Sequence, residues 1–237
     1  VRLLAGFGET ALPILLDIVK KVDDYRSRHL AATLLANLPA AADRIKNALS
    51  LEVPAEEKIR LLGVLDLLKV DVRIEALRFM SDPDSEVRQA ALGLLERFKD
   101  PSLSEVLLEL ANGPKEDVAV DAITFLGKVK PPGAGEELLD LLNTAREEKR
   151  LQACCLALGS IGDPACVAPL AKIVRHKGFF FRRKHYTAEV KAAAAYAIGQ
   201  IRHPDAAEAM DSLMNHPDPR ICRIAESAVH GGVPPVV

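Results

Sequence analysis

Apolar residues recur along this chain at helical spacing, and the helical pattern itself recurs. Laying LALGSIGDP (156–164) on AIGQIRHP (197–204), FLGKVKPP (125–132) and LLERFKDP (94–101) aligns an aliphatic anchor at Leu4, Leu35, Leu65, Leu95, Leu126, Leu158, Ile198 and Val229. The intervals are 31, 30, 30, 31, 32, 40 and 31 residues. Four residues before most anchors sits a mostly small side chain: Ala31, Leu61, Ala91, Ala122, Cys154, Ala194 and Ala225. Three residues after the anchor comes a second apolar position (Phe7, Leu38, Leu68, Phe98, Val129, Ile161, Ile201). Spacings of three and four place these residues on one face of a helix. A further apolar set, including Leu107 with Leu110, Leu138 with Leu141, Leu170 with Ile173 and Met210 with Leu213, marks another helix in each unit. Each unit is therefore a pair of amphipathic helices.

The breaks support the pairs. Asp82-Pro83, Asp100-Pro101, Pro131-Pro132, Asp163-Pro164 and His203-Pro204 fall between helical stretches, where proline stops one helix and suits the first turn of the next. The pattern predicts first helices at 11–20, 41–50, 71–80, 102–111, 135–144, 164–175 and 204–214. The second helices follow at 25–38, 55–69, 85–99, 116–129, 147–161, 188–201 and 219–229. The pair at 41–69 fits least well: Asn47 and Ser50 stand where other units hold Leu or Ile, so a register slip is expected there. No pair can bury its apolar face alone. Successive pairs are expected to stack into an all-α, right-handed α-solenoid of about seven pairs.

KRLQACCLALGSIGDPACVAPLAKIV (149–174), SDPDSEVRQAALGLL (81–95) and NHPDPRICRIAESAV (215–229) resemble HEAT-like repeats of the phycobilisome-lyase type. The resemblance covers nearly the whole chain and implies the solenoid fold. It implies little about activity, since repeat scaffolds carry many functions. One expectation it raises is an accessory role in a bilin-lyase-type enzyme. Under this reading residues 1–232 form a single solenoid with a partial repeat at 1–9, and 233–237 form a tail or linker. The chain opens in mid-pattern at Val1, so a fragment of a longer array is expected. An uncapped end at Val1 to Phe7 would permit end-to-end oligomers.

Composition narrows the function classes. Hydrophobic residues make up 49% of the 237 residues, aromatics only 4%, with no Trp, which suits closely packed helices. The balance of 31 basic against 33 acidic residues gives a net charge of -2, so any electrostatic role must be local. Cys154, Cys155, Cys166 and Cys222 form no C-x-x-C pair and read as free thiols in a reducing, cytoplasmic setting. Cys154 takes a slot filled by Ala elsewhere and reads as core. No cofactor or metal is expected. No His precedes Glu, as the iron-binding pairs of HEAT-like deoxyhypusine hydroxylases would require, and the Trp-dependent HEAT-like glycosylases find no Trp here. Those absences lead to the expectation that the chain is not an enzyme.

The interval of 40 residues departs from the period by about nine, in the insertion at 176–187. Here Phe179, Phe180, Phe181, Arg182, Arg183, Lys184, His185 and Tyr186 run together, and Lys172 to Lys191 holds seven cations against Glu189 alone. Insertions in repeat proteins emerge on one face, often the binding face. Interleaved aromatic and basic groups suit carboxylate, phosphate or planar ligands. An acidic protein partner is expected there; nucleic acid is the alternative, weakened by the lack of a wider basic stripe. The plain alternative is that the Phe residues only pin the loop. A second candidate is a basic ladder of Arg28, Lys58, Arg88 and Lys191, seven residues before their anchors, with the competing reading that each cation pairs with a carboxylate or turn carbonyl.

Overall fold

A computed structural model describes residues 4–49, 52–98, 102–176 and 186–230. Packing divides the chain into two compact units, Val1–Lys99 and Asp100–Val237. After a short 3-10 stretch at Leu4–Ala11, unit 1 holds α1 (Leu12–Lys21), α2 (Tyr25–Leu35), α3 (Ala41–Leu49), α4 (Ala55–Leu68), α5 (Arg73–Phe79) and α6 (Ser85–Leu95). Unit 2 holds α7 (Ser102–Ala111), α8 (Glu116–Val129), α9 (Ala134–Thr144), α10 (Glu148–Ile161), α11 (Val167–Val174), α12 (Ala188–Gln200), α13 (Pro204–Leu213) and α14 (Pro219–Val229). These are the seven pairs that the spacing predicts, and the described residues contain no strand.

Local chemistry sets the helix ends. Asp24, Asp84 and Asp218 stand at the N-caps of α2, α6 and α14, and each carboxylate accepts a backbone N–H from the first turn. Thr187 does the same for α12 through Val190 N–H. Four residues after their anchors, Lys69, Lys130 and Gly162 close α4, α8 and α10 in the left-handed conformation. Only glycine takes that conformation without steric cost.

Within each unit every first helix packs on its own second helix, and the second helices pack side by side: α2 on α4 on α6, and α8 on α10 on α12 on α14. The anchors Leu35, Leu65, Leu95, Leu126, Leu158 and Ile198 are all 1% exposed or less. The seven residues four positions before the anchors are completely buried. Val229, in the last described helix, is instead 40% exposed. The face of α14 that elsewhere meets a further helix carries Glu226 and His230, both exposed. The register slip in α3 is present: Ala41, Ile45 and Leu49 are buried, and Asn47 points to solvent.

Unit 2 achieves its closest approach through glycine. A Cβ at Gly127 would stand 2.7 Å from the Cα of Ala157, and one at Gly159 would stand 2.6 Å from the Cα of Ala197. Helices α8, α10 and α12 thus meet backbone to backbone, at the residue just after each anchor. In unit 1 the same register position holds Ala36, Asp66 and Glu96.

One charged cluster is built into unit 1. Asp82 is 8% exposed; its Oδ2 accepts from Lys58 Nζ at 2.8 Å and its Oδ1 from Asp84 N–H at 3.0 Å. Burial raises its pKa, but these donors outweigh burial and hold the Asp82 carboxyl below its ordinary value. Its carbonyl also accepts from Arg88 Nη1 at 3.1 Å.

Two predictions test this packing. Alanine normally stabilises a mid-helix glycine position by about 1 kcal/mol, so Gly63→Ala, where a Cβ meets nothing within 4 Å, should raise the urea midpoint. Gly159→Ala should lower it, because overpacking against an immovable backbone costs about 1–3 kcal/mol. Asp82→Asn should destabilise unit 1 by about 1–3 kcal/mol at neutral pH, since Lys58 loses a charged acceptor. A depressed folded-state value stabilises above the ordinary 3.8 and is lost as pH falls below it. The wild-type and Asp82→Asn stabilities, followed by circular dichroism against pH, should therefore converge below about pH 4.

Candidate functional site

The ladder residues point their donors at turns. Arg28 Nη1 donates to the carbonyls of Val22 (3.1 Å) and Asp23 (2.7 Å). Arg88 Nη1 donates to those of Asp82 (3.1 Å) and Pro83 (3.2 Å). Cys222, at the same register position, directs its thiol to the His216 carbonyl at 2.8 Å. In all three the acceptor lies six residues earlier, in the turn joining first helix to second. Lys58 instead reaches into the next pair, to Asp82. The geometry of these side chains is that of a clamp on the intra-pair turn.

Lys191 keeps the clamp across the insertion. Its Nζ donates to the His176 carbonyl at 2.8 Å, fifteen residues earlier instead of six. The difference of nine equals the excess in the repeat interval, so the extra residues enter at one point between His176 and the α12 N-cap Thr187. The His176 and Tyr186 rings meet edge to face at 5.3 Å, and Thr187 Oγ1 donates to Glu148 of α10 at 3.1 Å. Burial, with the nearby Cys155 thiol adding, raises the pKa of Tyr186. Of the candidate loop residues only Tyr186 is placed; Phe179, Phe180, Phe181, Arg182, Arg183, Lys184 and His185 lie outside the described residues. So do Val1 to Leu3 of the expected uncapped end and the 233–237 tail.

None of the four cysteines is in a disulfide. Cys154, Cys155 and Cys166 are buried and Cys222 is partly so. Burial pushes the Cys155 thiol far up, and pushes Cys166 to about 11 with Asp163 adding to the effect, so neither supplies a thiolate near neutrality. Among the described residues no three His, Cys, Asp or Glu side chains gather as metal ligands.

A feature the sequence reading did not single out lies in unit 1. Val19, Ala32 and Val64 floor a groove of about 160 Å³ between α2 and α4. Tyr25 and His29, one helical turn apart on α2, stack at 5.9 Å with 12° between their planes along one side. Arg60 and Gly63 of α4 form the other. The legible signal was Gly63 itself, bare at a register position that holds Leu156 in α10 and Tyr196 in α12.

No described helix is long and apolar enough to cross a membrane. No curated protein matches the chain. Among solved structures, human deoxyhypusine hydroxylase in complex with glycerol is similar, with 16% identity over 98% of this chain and 100% of that one and a TM-score of 0.40. That likeness extends to the repeat fold alone. The expectation that the chain is not an enzyme is corrected: missing motifs exclude named chemistries, not catalysis as a class. HEAT repeats as a class are generally protein-interaction scaffolds. The sequence matches HEAT repeats over residues 70–154 and 136–229, and with its stacked helix pairs and buried anchor columns the chain belongs to the HEAT-repeat family.

Proposed function

We propose that this chain is a protein-interaction scaffold whose basic, aromatic insertion, Phe179–Tyr186, captures an acidic segment of a partner protein. The observation that carries the reading is the neck. Lys191 and the His176–Tyr186 ring contact hold the turn as Arg28, Arg88 and Cys222 hold theirs, so nine residues are added without altering the clamp. A segment that the fold does not need for its own turn is available for recognition. Its composition, three Phe beside Arg182, Arg183 and Lys184, suits carboxylates flanked by apolar groups. The adjoining turn of α12 adds Lys191, whose charge is directed at the loop base.

Removal of residues 177–185 tests this, with Tyr186 kept to occupy the short turn. The shortened chain should retain its helicity and melting temperature, and should lose binding of a fluorescein-labelled hexaglutamate peptide. Arg182→Glu with Arg183→Glu and Lys184→Glu in the full chain should give the same loss with the same melting curve. Wild-type binding should fall steeply between 50 and 300 mM salt, concentrations chosen to shorten the screening length from about 14 to about 6 Å. Peptide binding that survives both changes would refute the reading. A loop-deleted chain that unfolds would favour a pinning role for the Phe residues.

A further inference from the structure

We propose that the groove between α2 and α4 is a second docking site, which receives one aromatic side chain, Phe or Tyr, from a segment of a partner protein. The argument starts from register. Two residues before the anchor, α10 carries Leu156 and α12 carries Tyr196. Leu156 is 44% exposed, so more than half of it is covered, and Tyr196 is partly buried. In α4 the same position is Gly63, and a Cβ built there meets nothing within 4 Å. The facing position on α2 is Ala32, where α4, α6 and α8 have Leu62, Leu92 and Ile123. Both seam positions are thus truncated at once, and the space they leave is the groove. Gly93 of α6 is equally bare, so the glycine alone is not the signal; the aromatic and cationic walls beside Gly63 are.

A bare glycine in mid-helix costs about 1 kcal/mol relative to alanine. At Gly159 close packing requires it; at Gly63 nothing among the described residues does. The groove volume of about 160 Å³ is close to that of the engineered apolar cavities of about 150 Å³ that accept benzene. Its walls select a ring over an aliphatic group. The Tyr25–His29 stack offers ring faces and edges for a third ring, and Tyr25 is 69% exposed. Opposite, the Arg60 side chain is 12% exposed, its guanidinium held by Asp23, Glu56 and the Lys20 carbonyl. A guanidinium in that setting is an aromatic partner. It is a poor anion site, because two carboxylates already neutralise it.

The site is independent of the insertion, so its test can be separated from that of the loop. Peptides Gly-Gly-Phe-Gly-Gly and Gly-Gly-Ala-Gly-Gly are titrated against the full chain, reading the ring resonances of Tyr25 and His29 by NMR. The Phe peptide should shift both in a saturable manner, with affinity on the order of millimolar for a single ring, and the Ala peptide should not. Gly63→Leu fills the groove from within; it should weaken Phe-peptide binding at least about tenfold, a loss of about 1.4 kcal/mol, while the melting temperature holds or rises. Removal of residues 177–185 should leave this binding unchanged. Absence of saturable shifts, or equal binding by Gly63→Leu, would overturn the proposal. So would ring shifts that depend on protein concentration without peptide, which would make a second copy the occupant.

Discussion

Where α8 meets α10 and α10 meets α12, a single added methyl group would collide with the neighbouring backbone. Gly127 lies on Ala157 and Gly159 on Ala197 at distances no real Cβ could share. Because dispersion energy falls off steeply with separation, this contact favours the close packing in which Leu126 and Leu158 are completely buried. The position four residues before each anchor repeats the logic inside the core, where six of seven residues are Ala or Cys and all are completely buried. Leu61 is the one large side chain at those points, in unit 1; in unit 2 the position holds only Ala122, Cys154, Ala194 and Ala225.

Unit 1 obeys the same pattern with a looser seam. Ala36, Asp66 and Glu96 replace the glycines, and part of the cohesion passes to charged ties. Arg60 reaches the Lys20 carbonyl, Arg97 the Asp66 carbonyl at 2.6 Å and Arg78 the Leu49 carbonyl at 2.7 Å. These cations satisfy carbonyls near helix C-termini, where the backbone has acceptors to spare and the helix dipole favours positive charge. A seam built this way tolerates a hollow, and the Tyr25–His29 groove is found there. Unit 2, closed by glycine, has its irregularity in the repeat interval, between His176 and Thr187.

The clamp explains how a nine-residue insertion enters a repeat without disturbing it. Arg28, Arg88 and Cys222 each fasten the turn six residues upstream, and Lys191 fastens the same point from across the added segment. A turn held by side chains from the following helix does not depend on its own length. Loop-closure entropy grows only slowly with length, so the remaining cost of nine residues is small.

Periodicity alone determined the seven helix pairs, their boundaries to within a few residues, the anchors and even the slip in α3, because burial on a helix recurs every three to four residues and proline and aspartate mark its ends. It also located the insertion, as a plain excess in spacing. What it did not determine was the direction in which polar groups point. For Arg28, Arg88 and Lys191 the sequence left open an exposed basic stripe or cations paired with carboxylates or turn carbonyls, and folding brings turn carbonyls within 3.2 Å of them. Glycine is equally ambiguous on paper: Gly159 and Gly63 are both mid-helix residues near an anchor, yet one is pressed against a backbone and the other opens onto a hollow. That difference depends on how closely the neighbouring helix approaches, which is a property of the packed unit and of no single helix in it.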